Sequence, residues 1–89
     1  MIRYRIDCHD ITIAYLEIKD GMHRCIPVPE GLEHPDVQKV SIPYELKEGQ
    51  DWGGPIPFLQ NKINDAVRFG RENNIGSFTD PFRLVMIDE

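Results

Sequence analysis

Two thiols and two imidazoles sit in two short clusters, Cys8-His9 and His23-Arg24-Cys25. Together they are the donor set of a tetrahedral zinc site. A cysteine beside a histidine is also the raw material of a thiol nucleophile with its base. Whether either chemistry assembles depends on the strands that carry these residues. Neighbours along a strand point to opposite faces, so Cys8 and His9 are poorly placed for proton transfer. His9 and Asp10 serve better as a two-residue turn, with Asp10 bonding its own backbone. Asp7, Asp10 and Glu17 could be imagined as an acid pair, yet that turn sets Asp7 opposite Thr12 and sends Glu17 to the far end. No catalytic, cofactor or metal set is assigned.

The elements follow from period-two alternation. Ile2, Tyr4 and Ile6, then Ile13 and Tyr15, then Ile26 fall on one face if His9-Asp10 and Asp20-Gly21 are both tight turns. Ile6 then faces Ile13, Tyr4 faces Tyr15, Tyr15 faces Ile26 and Ile13 faces Val28. The strands run roughly from Ile2 to Asp7, Ile11 to Ile18 and Met22 to Val28. On this register Cys8 lies on the Ile6 and Ile13 face, whereas Cys25 opposes Leu16 and points the other way. Five residues of the second strand separate their levels, roughly 16–17 Å at strand rise. A disulfide needs Cα atoms within about 7 Å. Two free thiols in a reducing compartment are expected.

From Pro27 to Pro35 the prolines forbid a regular ladder. Val40, Ile42, Tyr44 and Leu46 then alternate with Lys39, Ser41, Pro43 and Glu45, which reads as a strand placed at a sheet edge or bulge by Pro43. Lys47 to Pro55 is a second loop, holding three glycines and the only tryptophan. An amphipathic helix should span Pro57 to Asn73, with Leu59, Ile63, Ala66, Val67 and Gly70 on one stripe. Phe82 to Ile87 closes the chain as a strand that pairs with the first strand or with Val40 to Leu46. The expected fold is α+β, a mostly antiparallel sheet of four or five strands with one helix packed on the face bearing Tyr4, Ile6, Ile13, Tyr15 and Ile26. Residues 1–89 form a single domain, with an acidic Pro/Gly-rich loop and edge-strand segment at about 28–56.

Composition narrows the function classes. The net charge is −5, and Val28 to Asp51 carries six acids against two lysines. Such a surface argues against nonspecific duplex binding, which needs cations to displace counterions, so no direct nucleic-acid binding is expected. It suits a basic protein partner. No apolar run approaches the roughly 20 residues that span a bilayer, and the first residues lack an apolar leader stretch. A cytoplasmic protein without a membrane partner is expected.

Two regions could recognise a partner. In Asp51-Trp52-Gly53-Gly54-Pro55 the tryptophan lies outside either periodic pattern, and on a loop it would be a binding anchor. The competing account folds Trp52 back onto the sheet or the helix start. The second face of the three strands mixes Arg3, Arg5 and His23 with Leu16, Ile18 and Cys25, an apolar strip with a basic rim typical of interfaces. Cover by part of segment 29–56 is the alternative. The partner-binding candidates are Trp52, Asp51, Glu48, Glu45, Arg3, Arg5 and His23. The leading expectation is a non-enzymatic protein-binding module, a small inhibitor of a larger macromolecule of the phage, plasmid or toxin-operon type. Its acids could mimic nucleic-acid phosphates in a basic groove. A small-molecule or nucleotide sensor using Trp52, Gly53 and Gly54 is the first alternative, and a small enzyme with a subunit-interface site the second. An alternating exposed edge also invites homodimerisation.

Overall fold

Alternation builds the meander as expected, and one extra residue decides which face is buried. The computed structural model describes residues 1–57, 59–60, 72–73 and 81–88. Strands β1 (Ile2–Cys8), β2 (Ile11–Lys19) and β3 (Met22–Pro27) are antiparallel neighbours. The two turns between them are those expected. His9 and Asp10 have φ of 50° and 64°, and Asp20 and Gly21 have φ of 51° and 75°. Two consecutive left-handed residues give the turn whose twist matches that of the flanking strands.

Near the first turn Cys8 pairs with Ile11 and Asp7 with Thr12, as the two-residue turn requires. The ladder then slips, for Ile6 pairs with Ala14 and Tyr4 with Leu16. Ile13 is the extra residue of a β-bulge, and its carbonyl accepts the Val28 N–H at 2.8 Å. The expected pairings of Ile6 with Ile13 and Tyr4 with Tyr15 are therefore corrected by one position. A one-residue slip exchanges faces. Tyr4, Ile6 and Cys8 of β1 now share their side with Ala14 and Leu16 of β2 and with His23 and Cys25 of β3. Ile13 and Ala14 are both wholly buried. The pairing of Tyr15 with Ile26 stands, and both residues are half-buried on the opposite face.

The segment after β3 departs from expectation. It holds three short helices, α1 (Pro29–Leu32), α2 (Pro35–Gln38) and α3 (Tyr44–Glu48), followed by a strand, β4 (Gln50–Gly53). No strand forms over Val40 to Leu46. Val40 and Ile42 are half-buried and Leu46 is fully buried, but Tyr44 is 72% exposed, so the alternation fails at Tyr44. Pro43 instead starts α3, its carbonyl accepting from Leu46 and Lys47, with Glu45 in the first turn and Lys47 in the last. Both charges suit the helix dipole.

The sheet order is β4-β3-β2-β1-β6-β5, antiparallel at each described pairing, where β5 is the two-residue Glu72–Asn73 and β6 is Phe82–Asp88. The final strand pairs with the first, one of the two arrangements expected. The core joins Ile6, Ile13, Leu16 and Leu84 of the sheet to Val37, Leu46, Ile56 and Leu59. Pro57, Leu59 and Gln60 are helical, and the Gln60 N–H bonds Ile56 O at 2.8 Å. The rest of the helix expected over Pro57 to Asn73 falls outside the described residues, Glu72–Asn73 excepted, which are strand. The fold is α+β, and no helix among the described residues is long and apolar enough to cross a membrane.

Candidate functional site

The bulge gives the solvent side of the sheet its chemistry. Because β1 presents Arg3, Arg5 and Asp7 opposite Glu17, Tyr15 and Thr12, the polar residues of three strands align in cross-strand rows. Arg24, Glu17, Arg3 and Asp88 form one row. Ile26, Tyr15, Arg5, Val85 and Glu72 form the next, and Thr12, Asp7 and Arg83 the third. All four described arginines stand on this face.

Each carboxylate is buried beneath the guanidiniums it binds. Glu17 is 4% exposed and Asp7 also 4%. The Arg24 Nε donates to Glu17 Oε1 at 2.8 Å and its Nη2 contacts the same oxygen, while Arg3 Nε lies 3.4 Å from Glu17 Oε2. Arg5 Nε donates to both Asp7 oxygens at 3.1 Å, and the Thr12 hydroxyl donates to Asp7 Oδ1 at 2.9 Å. The arginine side chains remain between 36 and 40% exposed.

Aromatic rings hold two of these cations. The Arg24 guanidinium carbon lies 4.7 Å from the centre of the Trp52 ring, and that of Arg3 lies 5.3 Å from the centre of Tyr15. Trp52 reaches this position because β4 adds to β3, with His23 opposite Gly53 and Cys25 opposite Gln50. Gly49 makes the entry possible. Its φ is 83°, and a Cβ there would come within 2.9 Å of Pro27 and 3.0 Å of the Cys25 carbonyl. At the other end the Gln50 carboxamide donates to His23 O at 3.2 Å and Gly54 O at 2.9 Å. Trp52 is thus half-buried on an edge strand, where the sequence suggests a loop.

The other expected partner residues are dispersed. Asp51 is exposed and accepts the Trp52 N–H at 2.9 Å. Glu48 is exposed and Glu45 half-buried, both on α3. His23 was expected at a solvent-facing rim and is instead 6% exposed on the core side. Leu16, Ile18 and Cys25, expected as an exposed apolar strip, also belong to the core or pack against it. Arg3 and Arg5 do face solvent. Arg24, Glu17, Tyr15 and Arg83 complete their surroundings and were not singled out from the sequence as partner residues.

Both cysteines are buried free thiols. Their levels on β2 are separated as expected, since Cys8 pairs with Ile11 and Cys25 with Leu16, but they share the core side of the sheet instead of pointing apart. Burial raises both thiols, that of Cys25 to about 11 with a further push from the Glu45 carboxylate. Burial also lowers His23. Among the described residues no group of three or more His, Cys, Asp and Glu converges to hold a metal ion. A half-open cleft of about 500 Å³ lies among Leu32, Val37, Val40, Ile42, Lys47 and Glu48, and its lining does not include Trp52, Gly53 or Gly54. The chain matches no known family model, no curated protein and no solved structure.

Proposed function

We propose that the protein is a non-enzymatic binding module that docks on a larger protein through the arginine face of its sheet, acting as a small inhibitor of that partner. The observation that carries this reading is the stacking of Arg24 on Trp52, 4.7 Å from guanidinium to ring centre, above a buried Glu17. Trp, Tyr and Arg dominate interface hot spots, Trp and Tyr because they offer much contact area at small entropic cost. Here the long side chains are already restrained by ring and carboxylate, which lowers the ordering cost of association.

A second reading rests on a separate surface. Glu30, Asp36 and Glu48 are exposed on the short helices that cover the core side, and Glu33 is exposed just after α1, away from the arginines. These acids could occupy a basic groove as nucleic-acid phosphates do, with Glu45 and Asp51 beside them.

Affinity capture with the full chain, identified by mass spectrometry, compares the native protein with Trp52→Ala at low and moderate salt. One stoichiometric protein held by the native chain and lost from the variant is the expected result. A hot-spot truncation of about 2 kcal/mol or more weakens binding roughly 30-fold. Capture that is indifferent to Trp52 would reject this face as the interface.

A further inference from the structure

We infer that the arginine face also fits a second copy of this chain, sheet over sheet about a twofold axis that runs along the strands between β1 and β2. Self-association and docking on a larger partner then exclude one another. That exclusion rests on the binding reading above, whereas the dimer does not.

The sheet order supplies the symmetry. In β4-β3-β2-β1-β6-β5 the boundary between β2 and β1 divides the six strands into three and three. A twofold axis there sets β2 over β1, β3 over β6 and β4 over β5 of the other copy, and keeps the rows level. The strand axes of the two layers then follow one line, which is the aligned packing that twisted sheets adopt.

The residues match under that operation. In the middle row Tyr15 comes over Arg5 and Ile26 over Val85, each pair occurring twice. Arg5 uses Nε and Nη2 on Asp7, which leaves Nη1 to donate. The Tyr15 hydroxyl makes no hydrogen bond among the described residues and can accept it. Tyr15, Ile26 and Val85 are half-buried and stand outside the core cluster, so they give the second layer an apolar strip. In the first row Arg24 comes over the Asp88 position and Glu17 over Arg3, and in the third Thr12 comes over Asp7. Glu17 is buried under its own guanidiniums, so its part is to offset their charge as Arg3 of the second copy approaches. Other axes fail. One through β1, or one across the strands at the middle row, would set Arg5 over Arg5, and one through β2 would set Arg24 over Arg3 and Glu17 over Glu17.

The area sets the strength. Four strands about 4.8 Å apart and three rows repeating at about 6.8 Å give roughly 400 Å² of sheet on each copy. Stable interfaces bury roughly 800 Å² on each partner, so this dimer is weak and a larger partner can displace it.

Sedimentation equilibrium of the full chain at about 0.01–1 mM reads the dimer directly, and the native chain should pass from monomer toward dimer across that range. Ile26→Glu and Val85→Lys, each checked for folding by circular dichroism, should weaken dimerisation at least about tenfold, because each homodimer sets two charges against apolar partners. Their equimolar mixture should recover most of the dimer, since the heterodimer pairs Glu with Lys once and Ile26 with Val85 once. Tyr15→Phe keeps the ring under Arg3 and should weaken the dimer about fivefold or more, two hydrogen bonds being lost. A native chain that stays monomeric at about 1 mM, variants that dimerise as well as the native chain, or a mixture no stronger than its components would each overturn the inference. A monomeric native chain that still captures a partner lost in Trp52→Ala rejects the dimer and leaves docking intact. Complementation without any captured partner supports the dimer and rejects docking.

Discussion

Glu17 shows how much one residue can hold in place. It is 4% exposed, yet both of its partners, Arg3 and Arg24, are more than a third exposed. Removing Arg24 leaves a buried carboxylate with the weaker of its two ion pairs. The loss is discounted because solvent reaches the guanidinium. Arg24→Ala should therefore cost about 1–2 kcal/mol in urea unfolding, and Arg3→Ala less; equal losses would show that Glu17 does not distinguish its partners. Burial of His23 and Cys25 makes stability depend on pH at both ends. Burial lowers His23 below its ordinary 6.5, so the fold favours the neutral ring. The stabilisation from keeping His23 neutral is full above pH 6.5 and declines as pH falls toward the folded value. Cys25 moves the opposite way, from 9.0 to about 11. Its contribution is full below pH 9 and is lost as pH rises through 11, on the order of 2 kcal/mol. Stability measured against pH should fall at both ends, with His23→Gln reducing the acid-side decline and Cys25→Ala the alkaline one, part of which the buried Cys8 retains. These residues were visible in the sequence as chemistry-bearing types. Their burial was not, because it depends on which face of β3 is covered.

At the scale of elements, β2 carries the decision. Its apolar positions run Ile11, Ile13, then Ala14, Leu16 and Ile18. The alternation changes phase between Ile13 and Ala14, which is the sequence trace of the bulge. Taking the strand as one unbroken alternation keeps the turn and the β2–β3 register but inverts the sides of the sheet. The pairing of Glu17 with Arg24 was already implied by setting Tyr15 opposite Ile26. The failure of the expected Val40 to Leu46 strand has a different origin. Four apolar residues at period two mimic a strand, but three of them pack while Tyr44 does not, and Pro43 begins a helix of five residues. Only packing against the sheet settles such a short segment. That packing is tight at α1, where Gly31 is buried against β2. A Cβ on Gly31 would stand 1.8 Å from the Thr12 carbonyl oxygen and 2.9 Å from its carbon. Backbone must move to admit it, so Gly31→Ala should destabilise by roughly 3 kcal/mol, the upper part of the range for overpacking. Gly54→Ala, where nothing lies within 4 Å, is the matched control and should cost well under 1 kcal/mol. Similar melting temperatures for the two would refute the close approach of α1 to β2.

Among the described residues the arginines are segregated in a way that net charge conceals. The chain is acidic at −5, yet its described arginines all stand on one side of the sheet, and exposed acids occupy the helices on the other. Salt dependence alone cannot tell which side binds, since screening weakens ion pairs on the arginine face and a basic groove on the helical acids alike. Neutralising one side at a time can. The triple substitution Glu30→Gln, Glu33→Gln and Glu48→Gln touches residues that are exposed and form none of the described ion pairs. It should leave stability within about 0.5 kcal/mol, as surface changes of this kind do. If the arginine face is the interface, this variant retains the captured partner, because none of the three residues lies on that face. Arg3→Gln should lose affinity under the same conditions. The reverse pattern, with capture lost in the triple variant and kept in Arg3→Gln, would transfer the interface to the helices and make phosphate mimicry the better account.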